Sequence, residues 1–139
     1  MYVLDTNIIS ELRKVKTARA NPGLVGWAQE VKTALTYLSA ITIQELEHGV
    51  LLAERSDPPA GKVLRHWIDN DVLRSFARRI LPIDAQVAKQ AAALHVPDPA
   101  PVQDALIAAT ALTNDMAVVT RNTRDFERFP NLVVINPFN

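Results

Sequence analysis

Carboxylates beside apolar runs are the side chains of this sequence best suited to chemistry. Asp5 comes directly after the apolar run Tyr2–Leu4, and a parallel-sheet protein places its ligand-binding groups at such points, just beyond the carboxyl end of a strand. Asp, Thr and Asn are also good N-caps, so Asp5-Thr6-Asn7 has a simpler interpretation as the cap of the next helix. Position alone leaves both roles open for Asp5.

Glu45 is a second acidic candidate, and it too has a structural alternative. Thr42-Ile43-Gln44-Glu45 matches the capping box, in which a Glu at the third helical position bonds back to the cap. Glu47 competes with Glu45 for a place in any site, because residues two apart on a helix point to different sides. Glu45 shares its helix face with Gly49, where the missing side chain leaves space.

Asp104 gives the strongest signal of the acidic residues. It precedes Ile107, Ala108 and Ala111 by three, four and seven positions, which predicts that its carboxylate lies on the inward stripe of a helix. Burying an isolated charge costs many kcal/mol, so this carboxylate must be paired, protonated or bound to a metal. A helix-dipole contact explains an acidic residue in the first turn but not its inward direction. The sequence therefore favours a functional role.

Two more polar candidates follow the apolar run at 117–119. Asn122 and Asp125 lie in the segment Thr120-Arg121-Asn122-Thr123-Arg124-Asp125-Phe126, which mixes polar, basic and acidic residues. Both are also ordinary turn formers, and a turn alone accounts for them.

Basic residues form two local clusters in a chain without net charge. The 15 Lys and Arg balance 15 Asp and Glu, so only local clustering can argue for nucleic-acid binding. Such clusters position a phosphate backbone without reading its sequence, although a solvated surface explains them as well. The first cluster contains Arg13, Lys14, Lys16 and Arg19, and the second contains Arg121, Arg124 and Arg128.

Composition limits the kind of protein. With 139 residues, 48% of them hydrophobic, we expect one globular domain, residues 1–139, with a real core. The absence of cysteine excludes thiolate zinc sites and cysteine nucleophiles. His48, His66 and His95 lack ligand spacing, and no pair of them suits metal-free acid–base cleavage. Neither an export signal nor a membrane span is evident, so we expect a cytoplasmic protein.

Alternating strand and helix patterns predict an α/β fold. Strands separated by helices favour a central parallel β-sheet flanked by helices on both faces, with ligands bound beyond the carboxyl ends of the strands. The apolar residues of 62–79 serve either the core or a contact with a second chain. We predict strands at 2–4, 34–38, 80–83, 117–120 and 132–135, and helices from about 8, at 25–32, 42–55, about 64–77, 84–94 and 102–112.

Four blocks occur in an order that is specific, although no single block is. They are the blocks Tyr2–Glu11, Leu38–Leu46 with Gly49, Asp104–Ala111, and Thr120-Arg121-Asn122-Thr123-Arg124-Asp125-Phe126, and Asn136-Pro137-Phe138 closes the series. Together they span nearly the whole chain. The sequence resembles the PIN-domain family, and more closely its toxin nucleases of the VapC and FitB kind.

The resemblance implies that Asp5, Glu45 and Asp104 are the acidic residues of the family's metal site. The fourth position is open. The FitB-like pattern has an aspartate after Thr-Arg where this chain has Asn122, while Asp125 stands three residues later, as in many VapC-like sequences. An Asn offers a carbonyl oxygen but removes one negative charge, so the number of metals, one or two, stays open as well.

The resemblance also implies a reaction and partners. Mg2+ or Mn2+, which prefer oxygen ligands, would activate a water for hydrolysis of RNA. We expect a homodimer, a small cognate antitoxin, and operator DNA bound only through that antitoxin. The alternatives are a PIN-like nuclease acting on DNA, and a module acting mainly with an antitoxin in a DNA-binding regulatory complex. The candidates for RNA contact are Arg13, Lys14, Arg121 and Arg124.

Overall fold

Five short parallel strands form the central sheet of the computed structural model, which describes residues 1–139 apart from the side chain of Lys16. The strands are β1 (Tyr2–Leu4), β2 (Thr36–Ser39), β3 (Ile80–Leu81), β4 (Ala117–Val119) and β5 (Val134–Ile135). Their order across the sheet is β3-β2-β1-β4-β5. The chain steps outward from β1 to β3 and then crosses to β4 on the other side of β1, and a crevice opens beyond the strand ends at such a reversal.

Helices cover both faces of this sheet. They are α1 (Thr6–Leu12), α2 (Pro22–Glu30), α3 (Ala40–Ser56), α4 (Pro58–His66), α5 (Leu73–Ser75), α6 (Ala85–Leu94), α7 (Val102–Thr113) and α8 (Thr123–Glu127). Val3 and Val118 pack with α6, α7 and α8, whereas Leu4 and Val119 pack with α1, α2 and α3. Alternate residues of a strand point to opposite faces, so β1 and β4 each contribute to two separate cores. The predicted parallel sheet with helices on both faces is confirmed.

Helix α3 starts earlier than predicted. Its N-cap is Ser39, whose Oγ accepts a hydrogen bond from the Ile41 N–H at 3.3 Å. Thr42 is fully buried inside the helix and does not cap it. The capping-box interpretation of Glu45 is therefore wrong, because Ala40 and Ile41, which precede Thr42, are already part of the helix.

Helices α3 and α4 form an antiparallel pair that is joined by one arginine. The Arg65 guanidinium donates to both carboxylate oxygens of Glu47, at 2.6 and 2.7 Å, and also to Glu54. Gly61 permits the close approach, since a side chain there would come within 2.5 Å of the Glu54 Cα. The segment after α4 continues as a π-helical stretch, Trp67–Val72, before α5.

Two connections differ from the predicted ones. The residues after β4, interpreted as a turn, include the short helix α8 with Asn122 as its N-cap. The predicted helix at about 64–77 is divided among α4, the π-helical stretch and α5. Among the residues described, we find no helix that combines the length and the apolar character needed to cross a membrane.

Candidate active site

An open cleft of about 470 Å3 lies beyond the carboxyl ends of β1 and β4, where the strand order reverses. Besides Glu11, which is paired with Lys14, three carboxylates reach it from three different elements: Asp5 after β1, Glu45 from the second turn of α3, and Asp104 from the first turn of α7. The remaining lining residues are Thr6, Asn7, Ser10, Glu11, Lys14, Arg121 and Asn122. The sheet therefore brings together acidic groups that are as many as 99 positions apart, as the numbers 5 and 104 show.

Asp5 both caps a helix and faces the cleft, so its two interpretations hold together. One oxygen, Oδ1, accepts from the Thr6 N–H at 2.8 Å at the start of α1. The other, Oδ2, accepts from the Thr120 hydroxyl at 2.7 Å and from the Asn7 amide at 3.1 Å. The residue is 7% exposed. Burial raises the pKa of Asp5 above its ordinary value, and the hydrogen bond from Thr120 opposes that rise.

Glu45 of α3 is held by Thr6, the first residue of α1. Its Oε1 accepts from the Thr6 hydroxyl at 2.8 Å. Burial raises the pKa of Glu45, the Thr6 bond lowers it, and the negative charge of Asp5 raises it again. Glu47, the competing glutamate, is turned away to Arg65. The structure thus places Glu45 in the cleft and Glu47 in the α3–α4 pair.

Asp104 has the largest shift of the three carboxylates. It is partly buried at the start of α7. Burial, followed by the charges of Asp5, Asp125 and Glu45, raises the pKa of Asp104 from 3.8 to about 6. Like charges in a low-dielectric environment favour the protonated form. The predicted inward direction of Asp104 is therefore toward a cleft and not into the apolar core.

Asn122 and Asp125 are placed differently. Asn122 lines the cleft, and its N–H donates to the Thr120 hydroxyl at 3.0 Å. Asp125 is exposed on α8 and does not line the cleft, yet its charge raises the pKa of both Asp5 and Asp104. Asn122 thus belongs to the wall of the cleft, while Asp125 supplies negative charge from outside it.

Two threonine hydroxyls position the carboxylates, and the sequence analysis missed both. Thr6 bonds to Glu45, and its hydroxyl also lies 3.3 Å from that of Thr42. Thr120 is fully buried and joins Asp5 to the backbone of Asn122. Thr6 was considered only as a capping residue and Thr120 only as the end of a strand. The available signal was their place beside Asp5 and Asn122 in the family blocks.

The four predicted contact residues for RNA divide between the cleft and the outside. Lys14 and Arg121 line the cleft; Lys14 is paired with Glu11 at 3.0 Å. Arg13 lies 5.8 Å from the Trp67 ring in a separate apolar groove, and Arg124 is exposed in the last turn of α8. The side chain of Lys16 lies outside the described residues.

The donor set of the cleft fits a hard divalent cation. Its carboxylate, hydroxyl and amide oxygens are the ligands that Mg2+ and Mn2+ prefer. No ion pair within the described part of the chain involves Asp5, Glu45 or Asp104. Within the same described residues, no group of three or more His, Asp or Glu side chains is close enough to form a complete metal cage. Mg2+ is usually held by one or two carboxylates and several waters, so a cage is not required.

Comparison with known proteins gives a consistent match over the whole chain. Residues 2–132 match the family model described as PIN domain. The chain is 36% identical to the VapC ribonuclease Y4jK of Sinorhizobium fredii, covering 99% of this chain and 98% of that protein. It is 35% identical to the toxin FitB of Neisseria gonorrhoeae, covering 100% and 99%. A solved structure of FitAB bound to an IR36 DNA fragment has a TM-score of 0.86 at 34% identity, covering 100% of this chain and 96% of that one.

Proposed function

The chain belongs to the PIN domain family, and on that premise we propose that it is an endoribonuclease that hydrolyses RNA phosphodiester bonds with Mg2+ or Mn2+. The observation that carries this proposal is the convergence of Asp5, Glu45 and Asp104 on one open cleft. Burial raises the pKa of all three carboxyl groups, and no cation of the described residues pairs with them. Such a site gains stability from a bound divalent cation.

Asp5, Asp104 and Glu45 are the residues that would hold the cation. When bound there, it would lower the pKa of a coordinated water and offset the charge that develops on the phosphate. Thr120 and Thr6 fix the orientation of Asp5 and Glu45 by donating to them. Asp5 also accepts from the Thr6 N–H and from Asn7, so about one of its four lone pairs stays free, whereas Glu45 keeps about three. Asn122 adds a neutral side chain to the same wall, and Asp125 adds charge from α8.

Lys14 and Arg121 supply the positive charge that an RNA strand requires at the edge of this cleft. Contacts from Lys and Arg to phosphates give affinity without sequence preference and position the backbone over the acidic groups. Arg13 and Arg124 lie farther out, where they would bind flanking nucleotides. The openness of the cleft suits a polymer better than an enclosed small molecule.

We further propose that the chain is the toxin of a toxin–antitoxin pair, as the names of its relatives suggest. An antitoxin helix would bind the apolar groove between α1 and the π-helical stretch, lined by Ile9, Leu12, Trp67 and Phe76. A basic side chain of the antitoxin, an arginine, would then reach the three carboxylates and displace the metal. Operator DNA would be bound through the antitoxin. A homodimer and a cytoplasmic location also stay predictions.

Two glutamates of α3 provide a matched test. Glu45 lies in the cleft and Glu47 is paired with Arg65. We expect Glu45→Gln to reduce RNA cleavage at least tenfold, while Glu47→Gln cleaves like the wild type below its unfolding temperature. Each protein is incubated with labelled RNA and with DNA of the same sequence, in Mg2+ or Mn2+ and in EDTA.

The outcomes separate the alternatives. Cleavage of RNA but not DNA, lost in EDTA and in Glu45→Gln, supports the proposal. Equal cleavage of DNA would replace RNA as the substrate class. Absence of cleavage in every metal would leave only the binding module that acts in a regulatory complex. Equal loss in the two variants would show that the effect is one of folding and would contradict the role of Glu45.

A further inference from the structure

We propose that Phe138 is a positioning residue that holds the Arg121 guanidinium at the edge of the cleft, ready to bind an RNA phosphate. The inference rests on the proposed ribonuclease function, and it assigns a role to a residue outside the segments that carry the three carboxylates. Phe138 lies outside the cleft and acts only through Arg121.

Arg121 is held by one contact of its backbone and one contact of its guanidinium. Its backbone N–H donates to the Asn7 Oδ1 at 3.2 Å, which ties it to the residue that also donates to Asp5. The guanidinium carbon lies 5.3 Å from the centre of the Phe138 ring. Among the described residues, Arg121 is in no ion pair, in contrast to Lys14, which is bound to Glu11. The guanidinium therefore keeps its five N–H donors for a ligand.

Phe138 is itself held by the start of α2. Its N–H donates to the Asn136 Oδ1 at 2.9 Å. The next residue, Asn139, donates its N–H to the Asn21 Oδ1 at 3.1 Å, and its carbonyl accepts from the Asn21 side chain at 2.8 Å. A side chain at Gly23 would come within 2.6 Å of the Pro137 carbonyl oxygen, so the glycine is needed for this contact. The ring position thus does not depend on Arg121.

Asn21, which binds Asn139, also binds the wall of the cleft. The Asn21 N–H donates to the Glu11 Oε2 at 2.9 Å, and Glu11 lines the cleft beside Lys14. The Asn136–Asn139 segment is therefore connected by hydrogen bonds, through α2, to the residues opposite Arg121. A free arginine side chain has many rotamers, and a ring face that restricts them reduces the entropy lost when phosphate binds.

The test compares Phe138→Leu, which keeps an apolar side chain but removes the ring, with Phe138→Tyr, which keeps the ring. We expect Phe138→Leu to raise KM for RNA by about two- to fivefold, the effect of losing an exposed cation–π contact, with a smaller change in kcat. Phe138→Tyr restores the wild-type KM. In an Arg121→Gln background, Phe138→Leu has no further effect, because the residue it positions is absent.

Salt dependence provides a readout that a purely structural role would not change. Arg121→Gln lowers the slope of log KM against log salt by about 0.7, one phosphate contact on single-stranded RNA, and Phe138→Leu lowers it by part of that amount. Trp27→Leu is the control: Trp27 packs edge-on against Tyr2, contributes to the same core as Phe138, and is outside the cleft. It leaves both KM and slope unchanged.

Direct binding of labelled single-stranded RNA in EDTA, followed by fluorescence anisotropy, separates the two proposals. If the wild type does not cleave RNA, the proposed function fails, and the dissociation constants of the same variants still decide the role of Phe138. An unchanged KM and Kd in Phe138→Leu overturns the inference while the ribonuclease function stands. The inference is also overturned if Phe138→Leu has the same effect with and without Arg121, or if Trp27→Leu has the same effect as Phe138→Leu.

Discussion

Replacing Asp104 by Asn should abolish cleavage and at the same time stabilise the metal-free protein. Burial and the charges of Asp5, Asp125 and Glu45 raise the pKa of Asp104 from 3.8 to about 6. At about 1.4 kcal/mol per pKa unit, this shift corresponds to about 3 kcal/mol. Because the side chain is partly exposed, solvent screening reduces the effect to about 1–2 kcal/mol.

The sign follows from proton linkage. A carboxyl group whose pKa rises on folding destabilises the folded state wherever it is ionised, so the penalty is absent below about pH 4, develops up to about pH 6 and is complete above it. Asp104→Asn removes the charge and retains the shape. In EDTA near pH 7 we expect a gain of about 1–2 kcal/mol, or about 3–8 °C in Tm for a chain of this size. The gain disappears toward about pH 4.

Thermal unfolding of the wild type and the variant in EDTA across this pH range measures the gain, and RNA cleavage with Mg2+ is measured on the same preparations. Asp98→Asn is the control, since Asp98 is exposed and outside the cleft. A variant that is no more stable than the wild type near neutral pH would refute the claim that Asp104 carries an uncompensated charge. A gain that persists unchanged at low pH would assign it to packing.

Two further predictions concern the metal and the hydroxyl that holds Asp5. Adding Mg2+ or Mn2+ should raise the Tm of the wild type by several degrees, because a ligand stabilises the state that binds it. The Tm of Asp104→Asn should rise by clearly less, because the variant lacks one carboxylate. Equal Tm shifts of the two proteins in scanning calorimetry would contradict metal binding at this cleft. Thr120→Val should lower the free energy of unfolding in urea by about 1–3 kcal/mol, because a buried Asp5 oxygen loses a short hydrogen bond. Thr120→Ser keeps the hydroxyl and should retain most of the stability. An equal loss of stability in the two variants would assign the effect to packing.

The sequence predicted the elements that carry the carboxylates because those elements have strong local patterns. The apolar run before Asp5 is a strand, and the periodicity after Asp104 is a helix, as the structure has them. Strand β5 is shorter than predicted, with Val134–Ile135 in place of 132–135. It is an edge strand, and only Val134 and Ile135 pair with its single neighbour β4, which local composition does not report.

Choices that depend on distant residues could not be made from the sequence. The different roles of Glu45 and Glu47 depend on Arg65, 18 positions beyond Glu47, which binds Glu47 outside the cleft. The pattern of Thr42 and Glu45 fits a cap, but Ser39 at the end of β2 starts the helix earlier. Neither Thr6 nor Thr120 shows in its neighbours which carboxylate it will bind. The choice between Asn122 and Asp125 stays open, because both contribute to the cleft in different ways.

The bond between Thr120 and Asp5 has a consequence for how the protein is made. It joins residues 115 positions apart, through a β1–β4 pairing that closes the sheet between the first and the fourth strand. Asp5 is synthesised 99 residues before Asp104 and 115 residues before Thr120, as the numbers 5, 104 and 120 show. A chain that is still being translated toward β4 therefore contains the first acidic residue without the cleft. The cleft forms only through contacts between residues that are far apart in the sequence, and such contacts form more slowly than a helix does.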